Sequence, residues 1–437
     1  MKKCVHDIGE GTIRRIDWQD LIPVVFLAKI PRVAIGLRPL YLAMVGVLLT
    51  IAAGYLLNIA FAPETGSDSS GRIRRETGGE RLSRLCEPIN VLPLLTPARY
   101  DWSEEPSSNL RSIFHGGVFL PWNVFLSAAG DVWTWDIGPP GNASSAPGHV
   151  FSSRFSVPAV PSSIWFFFLM LLWGYLGTGI SRVAAMRLTV RENESLSTLS
   201  AFMKQTSGST FCSFLIPLIG MLCCYLPSLL LGLMSNVPVL DYLAGLLFPL
   251  GLLAGLLSVL LGVALVFGWP LMVAAVAVEG SDAFDAVSRM YSYVYQRPLH
   301  YLFYLACSAC LGMVSFFFLS LFLDVAAGSA VLFFPQSIRD VAATGAPTFF
   351  VEPGLAGGIG ARWIDANWII AAWLGLFSLI KIAFVFTFFW GSAVAIYLLL
   401  RRSVDNAPLN EIYRAPTLLP DPLPMPVTTL ATAQENG

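Results

Sequence analysis

Lys381 is the residue least at ease with its neighbours, because it lies inside an apolar run from Trp368 to Leu400. An ammonium near the middle of a hydrocarbon layer costs about 2.5–3.5 kcal/mol on insertion scales, so it turns to a protein interior or a water-filled cavity. Two chemistries fit it. It can touch a substrate or ion on a transport path, or it can snorkel or be satisfied by carbonyls and hydroxyls such as those of Ser378 and Thr387. The second is the more economical. A proton relay needs several ionisable groups, and no acidic residue falls in the central depth of any apolar run. A second group lies at 281–296. There Phe284, Val287, Tyr291 and Val294/Tyr295 recur at helical spacing, while Asp285 and Arg289 form an i,i+4 pair on another face. Ser281 or Asp282 can cap this helix and Pro298 ends it.

Other reactive residues carry weaker patterns. Cys307 and Cys310 have redox-motif spacing but sit in an apolar run with no strand–helix–strand context. Cys223 and Cys224 read the same way, as small apolar residues, and Cys86 stands alone. His115 and His149 with Glu104 and Glu105 lack metal-ligand spacing. Asn142-Ala-Ser matches a glycosylation sequon by pattern alone. Phosphate-cradling, nucleophile-elbow, zinc-protease and dinucleotide motifs are absent from the sequence. No catalytic residue, metal or cofactor is expected.

These residues are positioned by an unusual composition. Charged residues make up 13% and hydrophobic ones 55% of 437 residues, with a mean hydropathy of +0.66. So few charges cannot cover a soluble surface. A net charge of −1 excludes a strongly basic nucleic-acid binder, and 7 Cys are too few for a disulfide scaffold of this length. The fold expected is an all-α polytopic transmembrane bundle. Six runs reach the roughly 20 apolar residues that a bilayer crossing needs: Leu40–Ala62, Ser162–Ile180, Phe211–Met234, Leu240–Trp269, His300–Leu323 and Trp368–Leu400. The stretch 240–278 is long enough to raise the question of one span or two. Pro270 favours one span followed by an interfacial segment, 270–299. Pro217, Pro227, Pro249 and Pro270, with Gly251-Leu-Leu-Ala-Gly255, suit kinked and closely packed helices. Broken helices also line transport sites.

Short loops carry the orientation signal. Basic residues collect in 1–39, 181–210, 279–299 and the tail after Leu400, whereas 324–367 holds only Arg339 and Arg362. Both termini are expected in the cytoplasm, with 63–161 and 324–367 exported and 401–437 largely disordered. No cleavable signal peptide is read. The 63–161 region has the aromatic content for a small cap, from Trp102 to Trp135, or can lie on the bilayer surface, and it is the expected contact for protein partners. Three amphipathic segments, 17–36, 194–204 and 281–296, precede outward spans and are expected to lie as elbows at the cytoplasmic interface. Val183-Ala184-Ala185 and Val273-Ala274-Ala275 precede two of them, which suggests a duplicated span–elbow–span unit. The competing explanation is that any cytoplasmic loop of this length tends to form such a helix.

Three stretches carry a resemblance: Ile180–Glu192 (ISRVAAMRLTVRE), Glu279–Pro298 (EGSDAFDAVSRMYSYVYQRP) and Ala395–Asp405 (AIYLLLRRSVD). Over 160–415 the chain resembles uncharacterised bacterial multi-pass inner-membrane proteins. The middle stretch is similar to polytopic domains that include the membrane domain beside some glycerophosphodiester phosphodiesterases. In that group an acidic residue and Gly, here Glu279-Gly280, precede an Ala-x-x-Arg-Ser helix. Ala286 and Arg289 fit, and Met290 departs from the Ser. The resemblance implies architecture only, an inner-membrane location and no transferred catalytic residues. The function expected is a non-catalytic envelope scaffold or accessory protein, bound to the lipid bilayer; the alternative is a small-molecule or ion transporter with a path near Lys381.

Overall fold

A computed structural model describes residues 23–60, 119–132, 160–190, 194–237, 240–334, 367–409 and 411–413. Among them there are helices and no strands. A 3-10 turn (Pro23–Lys29) leads into α1 (Ile30–Ala34) and α2 (Leu37–Ala60). Then come α3 (Leu120–Val132), α4 (Val160–Thr189), α5 (Leu196–Met234), α6 (Leu240–Glu279), α7 (Ala283–Gln296), α8 (Pro298–Ala330) and α9 (Asn367–Asp405). Six of these, α2, α4, α5, α6, α8 and α9, are long and apolar enough to cross a membrane. Hydrophobicity all round a helix is what a span needs, since every backbone hydrogen bond must close within the segment.

α9 is the centre of the bundle. Almost every residue from Ile382 to Leu400 is buried, and Trp390, Tyr397 and Phe384 are among the largest fully enclosed side chains. α2, α4, α6 and α8 pack around it. Trp173 on α4 stacks on Phe386 at 4.0 Å, and Trp269 on α6 meets Trp390 edge-on at 5.6 Å. α2 and α4 run antiparallel. A Cβ on Gly46 would lie 2.9 Å from Trp173, and the Trp173 indole donates to Thr50 at 3.2 Å.

Helix ends and loops differ from the sequence reading in four places. The described part of the N-terminal segment, residues 23–36, packs its apolar face on the bundle rather than leaving it open. Phe26, Leu27, Ile30, Val33 and Ala34 are buried, and Thr387 of α9 donates to the Ala34 carbonyl at 3.0 Å. Its apolar face is covered by protein, which its charges at Lys29 and Arg32 had masked. Second, α6 does not stop at Trp269. It continues through Pro270 to Glu279 as one helix of 40 residues, and Trp269 to Val278 are buried in the bundle. Neighbouring helices tolerate the proline there.

Third, the segment before the third span is not a separate elbow. Ser195 caps α5, accepting from the Thr198 N–H at 3.2 Å, and lead-in and span form one helix of 39 residues. Of the apolar residues at helical spacing in the lead-in, Leu199, Phe202 and Met203 are buried, whereas Leu196 is 58% exposed. The second unit is joined differently: α7 and α8 break at Arg297, with Pro298 at the first turn of α8. Fourth, α3 comes from the segment expected to form an exported cap, yet it enters the bundle. Phe125 stacks on Trp269 at 4.4 Å, and Trp122 lies 6.0 Å from the same ring. At 13 residues it is too short to span, and non-spanning backbone is tolerated at membrane depth where protein surrounds it.

Candidate functional site

The residues singled out in the sequence fall into two sites. The first is built where α6, α7 and α9 end together. α6 stops at Glu279, and Gly280 takes φ +63 to reverse the chain. A Cβ there would also fall 2.8 Å from the Tyr413 ring, so only glycine fits. Asp282 caps α7, accepting from the Asp285 N–H at 2.9 Å. The cap puts Arg289 within reach of two carboxylates: it pairs with Asp285 at 2.9 Å and with Glu279. Glu279 also receives Arg401 of α9 at 3.0 Å and the Tyr397 hydroxyl at 2.6 Å. Tyr293 donates to Asp405. The chain after α9 closes over the corner through the Tyr413 N–H, which donates to Val278 at 2.9 Å, and through Arg401, which donates to the Glu411 carbonyl at 2.8 Å.

The electrostatics make this a latch. Burial alone would lower the Arg289 pKa, but the hydrogen bond to Asp285 and the nearby Tyr397, Glu279 and Asp285 raise it well above the usual guanidinium value. Burial and the bond to Asp405 push the Tyr293 phenol up. Burial and Tyr295 push Tyr291 up to about 12. Each of these groups is held in one protonation state across the neutral range, which suits fixing three helix ends rather than moving protons.

The second site is Lys381. It pairs with Asp324 of α8, which also accepts from Ser320 at 3.1 Å. The lysine side chain is 4% exposed and the aspartate 28%. The sequence reading found no acidic partner because it ended the span at Leu323. α8 runs on to Ala330, and Asp324 lies within the helix. Thr387, offered as a hydroxyl partner, instead bonds Ala34 and Phe384. The helical rise from Lys381 to Arg401 is about 30 Å, a whole hydrocarbon thickness. The lysine is therefore not at mid-bilayer if the latch marks one face, and the two sites are independent.

An apolar cleft of about 40 Å³ opens between Pro270, Tyr301, Leu305 and Ser392, closed on one side by Phe119 and Trp122. Lys381 is not part of its wall. Among the described residues no three His, Cys, Asp or Glu gather as metal ligands, and Cys223, Cys224, Cys307 and Cys310 are free thiols. Cys86, Glu104, Glu105, His115, Asn142 and His149 lie outside the described residues. Arg182 was missed altogether. It is 2% exposed, pairs with Glu194 at 2.8 Å, donates to the Ala277 carbonyl at 3.2 Å and lies over the Phe202 ring. An arginine just past an apolar run reads as a stop signal; only Glu194, twelve positions on, hinted at a partner. Compared with family models, with curated proteins and with solved structures, the chain matches none of them.

Proposed function

We propose that this chain is a non-catalytic scaffold or accessory protein of a bacterial inner membrane. Both termini face the cytoplasm in this reading, and the 63–161 region is available to protein partners on the other side. The observation that carries it is the enclosure of α9: its axis is filled by aromatic and aliphatic side chains, and its one lysine is neutralised by Asp324. A conduction path needs polar lining or a water-filled cavity. A transporter is the second reading. A short α3 seated against Pro270 of α6 favours it, because interrupted elements line many transport sites.

Partner binding is tested by removing 64–112 while keeping α3. The intact chain is expected to co-purify with a defined partner that the shortened chain loses at unchanged thermal stability. Both chains purifying alone, with solute flux in reconstituted vesicles, would contradict the scaffold and support the transporter.

A further inference from the structure

The cleft beside Pro270 holds a hydroxyl without a partner. Tyr301, Ser308 and Ser392 line it, together with apolar side chains and no charged one. Tyr301 donates to the Phe267 carbonyl, and Ser308 donates to that of Leu305 at 2.9 Å. Helical serines commonly donate in this way, three or four residues back along their own helix, as Ser213 and Ser315 also do. Ser392 does not. It is 7% exposed, and its Oγ has no hydrogen-bond partner. Pro270 shares the wall and has no N–H to offer. A buried hydroxyl left unpaired is costly, so a group that completes it is called for.

The volume decides what that group is. The cleft measures about 40 Å³ and a water takes about 10–15 Å³ on this measure, so about three waters would fill it. Each would need roughly two to four polar partners. Ser392 and the lone pairs of Tyr301 and Ser308 cannot serve so many. One hydroxyl, with the methylenes that carry it, needs only those partners and gives the apolar walls apolar contact. We propose that the cleft binds the hydroxyl end of a neutral long-chain lipid alcohol. Ser392 donates to the lipid oxygen, and the lipid hydroxyl donates to Tyr301 or Ser308. Carboxylate and phosphate ends are excluded, because no cation lines the cleft to pair with them. Ser392 and the cleft are the same whether the protein scaffolds or transports.

The test uses the full chain, delipidated in non-ionic detergent, and 1-decanol carrying a photoreactive diazirine. Labelling is expected on the α8 and α9 peptides that contain Ser308 and Ser392. Unlabelled 1-decanol should compete for it at about a tenth of the mole fraction needed with decane or decanoate. Ser392→Ala should raise the half-competing fraction of 1-decanol about three- to tenfold. It should leave Tm of the lipid-free chain unchanged or higher, since it removes an unpaired hydroxyl. Ser315→Ala, outside the cleft, should not change the competition. Equal competition by decane, or no labelling of either peptide, would overturn the site, and equal competition by decanoate would overturn its neutral ligand. A lower Tm of Ser392→Ala with unchanged competition would mark a hydroxyl held by ordered water, and would overturn it too. If Ser392→Ala does not fold, the competition series on the unchanged chain decides: preference for 1-decanol over decane upholds the site, and equal competition overturns it.

Discussion

Lys381 shows what a single residue can and cannot disclose. Its presence in an apolar run was enough to mark it as paired or functional, since an unpaired ammonium is costly there. Its partner was hidden by one position, because hydropathy places helix ends to within a few residues and Asp324 follows the last apolar residue, Leu323. Breaking a fully buried pair costs roughly 3–5 kcal/mol, whereas replacing both members by apolar groups is often neutral. With Asp324 partly exposed, Lys381→Met is expected to cost about 2–3 kcal/mol, and adding Asp324→Leu should recover most of it. Unfolding of the two variants in detergent measures this. A residue needed for transport would behave otherwise, with flux lost in both. Tyr291 offers a test by pH. Its folded pKa is raised from 10.0 to about 12. The stability this phenol contributes is therefore complete below pH 10 and is lost as pH rises towards 12. Phenolate absorbance should show delayed ionisation, and Tyr291→Phe should flatten the loss of stability over that interval.

At the scale of elements, α7 was legible in its start and its ion pair. Asp282 is the cap and Asp285–Arg289 the i,i+4 pair, both consequences of local chemistry. The buried face was not placed correctly. Phe284, expected in the apolar stripe, is 71% exposed, while Ala286, Met290 and Tyr293 are buried beside Val287 and Val294. Periodicity finds an apolar face, but the neighbours decide which edge of it is covered. Here α5 and α6 cover it, with Met290 pressed onto Gly268. Glu279→Gln should loosen α6, α7 and α9 together. It weakens the pairing of Arg289 and Arg401 at a carboxylate only 12% exposed, so a loss of about 2 kcal/mol is expected. Proteolysis of the α6–α7 junction should accelerate. α3 was invisible as a membrane element because it is too short to score as a span. Its aromatic residues instead match holes around Trp269. Phe125→Ala should lower stability by about 3 kcal/mol, and deleting 64–160 should do at least as much harm. Removing 64–112 should leave stability unchanged.

For the whole molecule, composition alone dictates helices in lipid, and six long apolar helices follow from it. Which helix sits in the middle does not. α9 and α6 have nearly the same length and both are strongly apolar, yet α9 is enclosed from Lys381 to Leu400, about half its length, while α6 is enclosed only from Gly268 onward. The difference lies in packing. α9 carries the large aromatic side chains that α4, α6 and α3 interlock with, and the leucine-rich first half of α6 pairs chiefly with α5. Burial in α5 likewise ends at Pro217, so the two helices leave the core together and present apolar surface suited to lipid. Everything functional then turns on whether the centre is closed. The direct measurement is labelling of Ala383→Cys, Val394→Cys and Ala395→Cys, in a chain otherwise free of cysteine, by a membrane-impermeant maleimide in native membranes, with exposed Ser288→Cys as the positive control. A closed core predicts labelling of Ser288→Cys from the cytoplasmic side and of none of the three α9 positions. Labelling along α9 would contradict it and open a water-filled path where the scaffold has a packed wall.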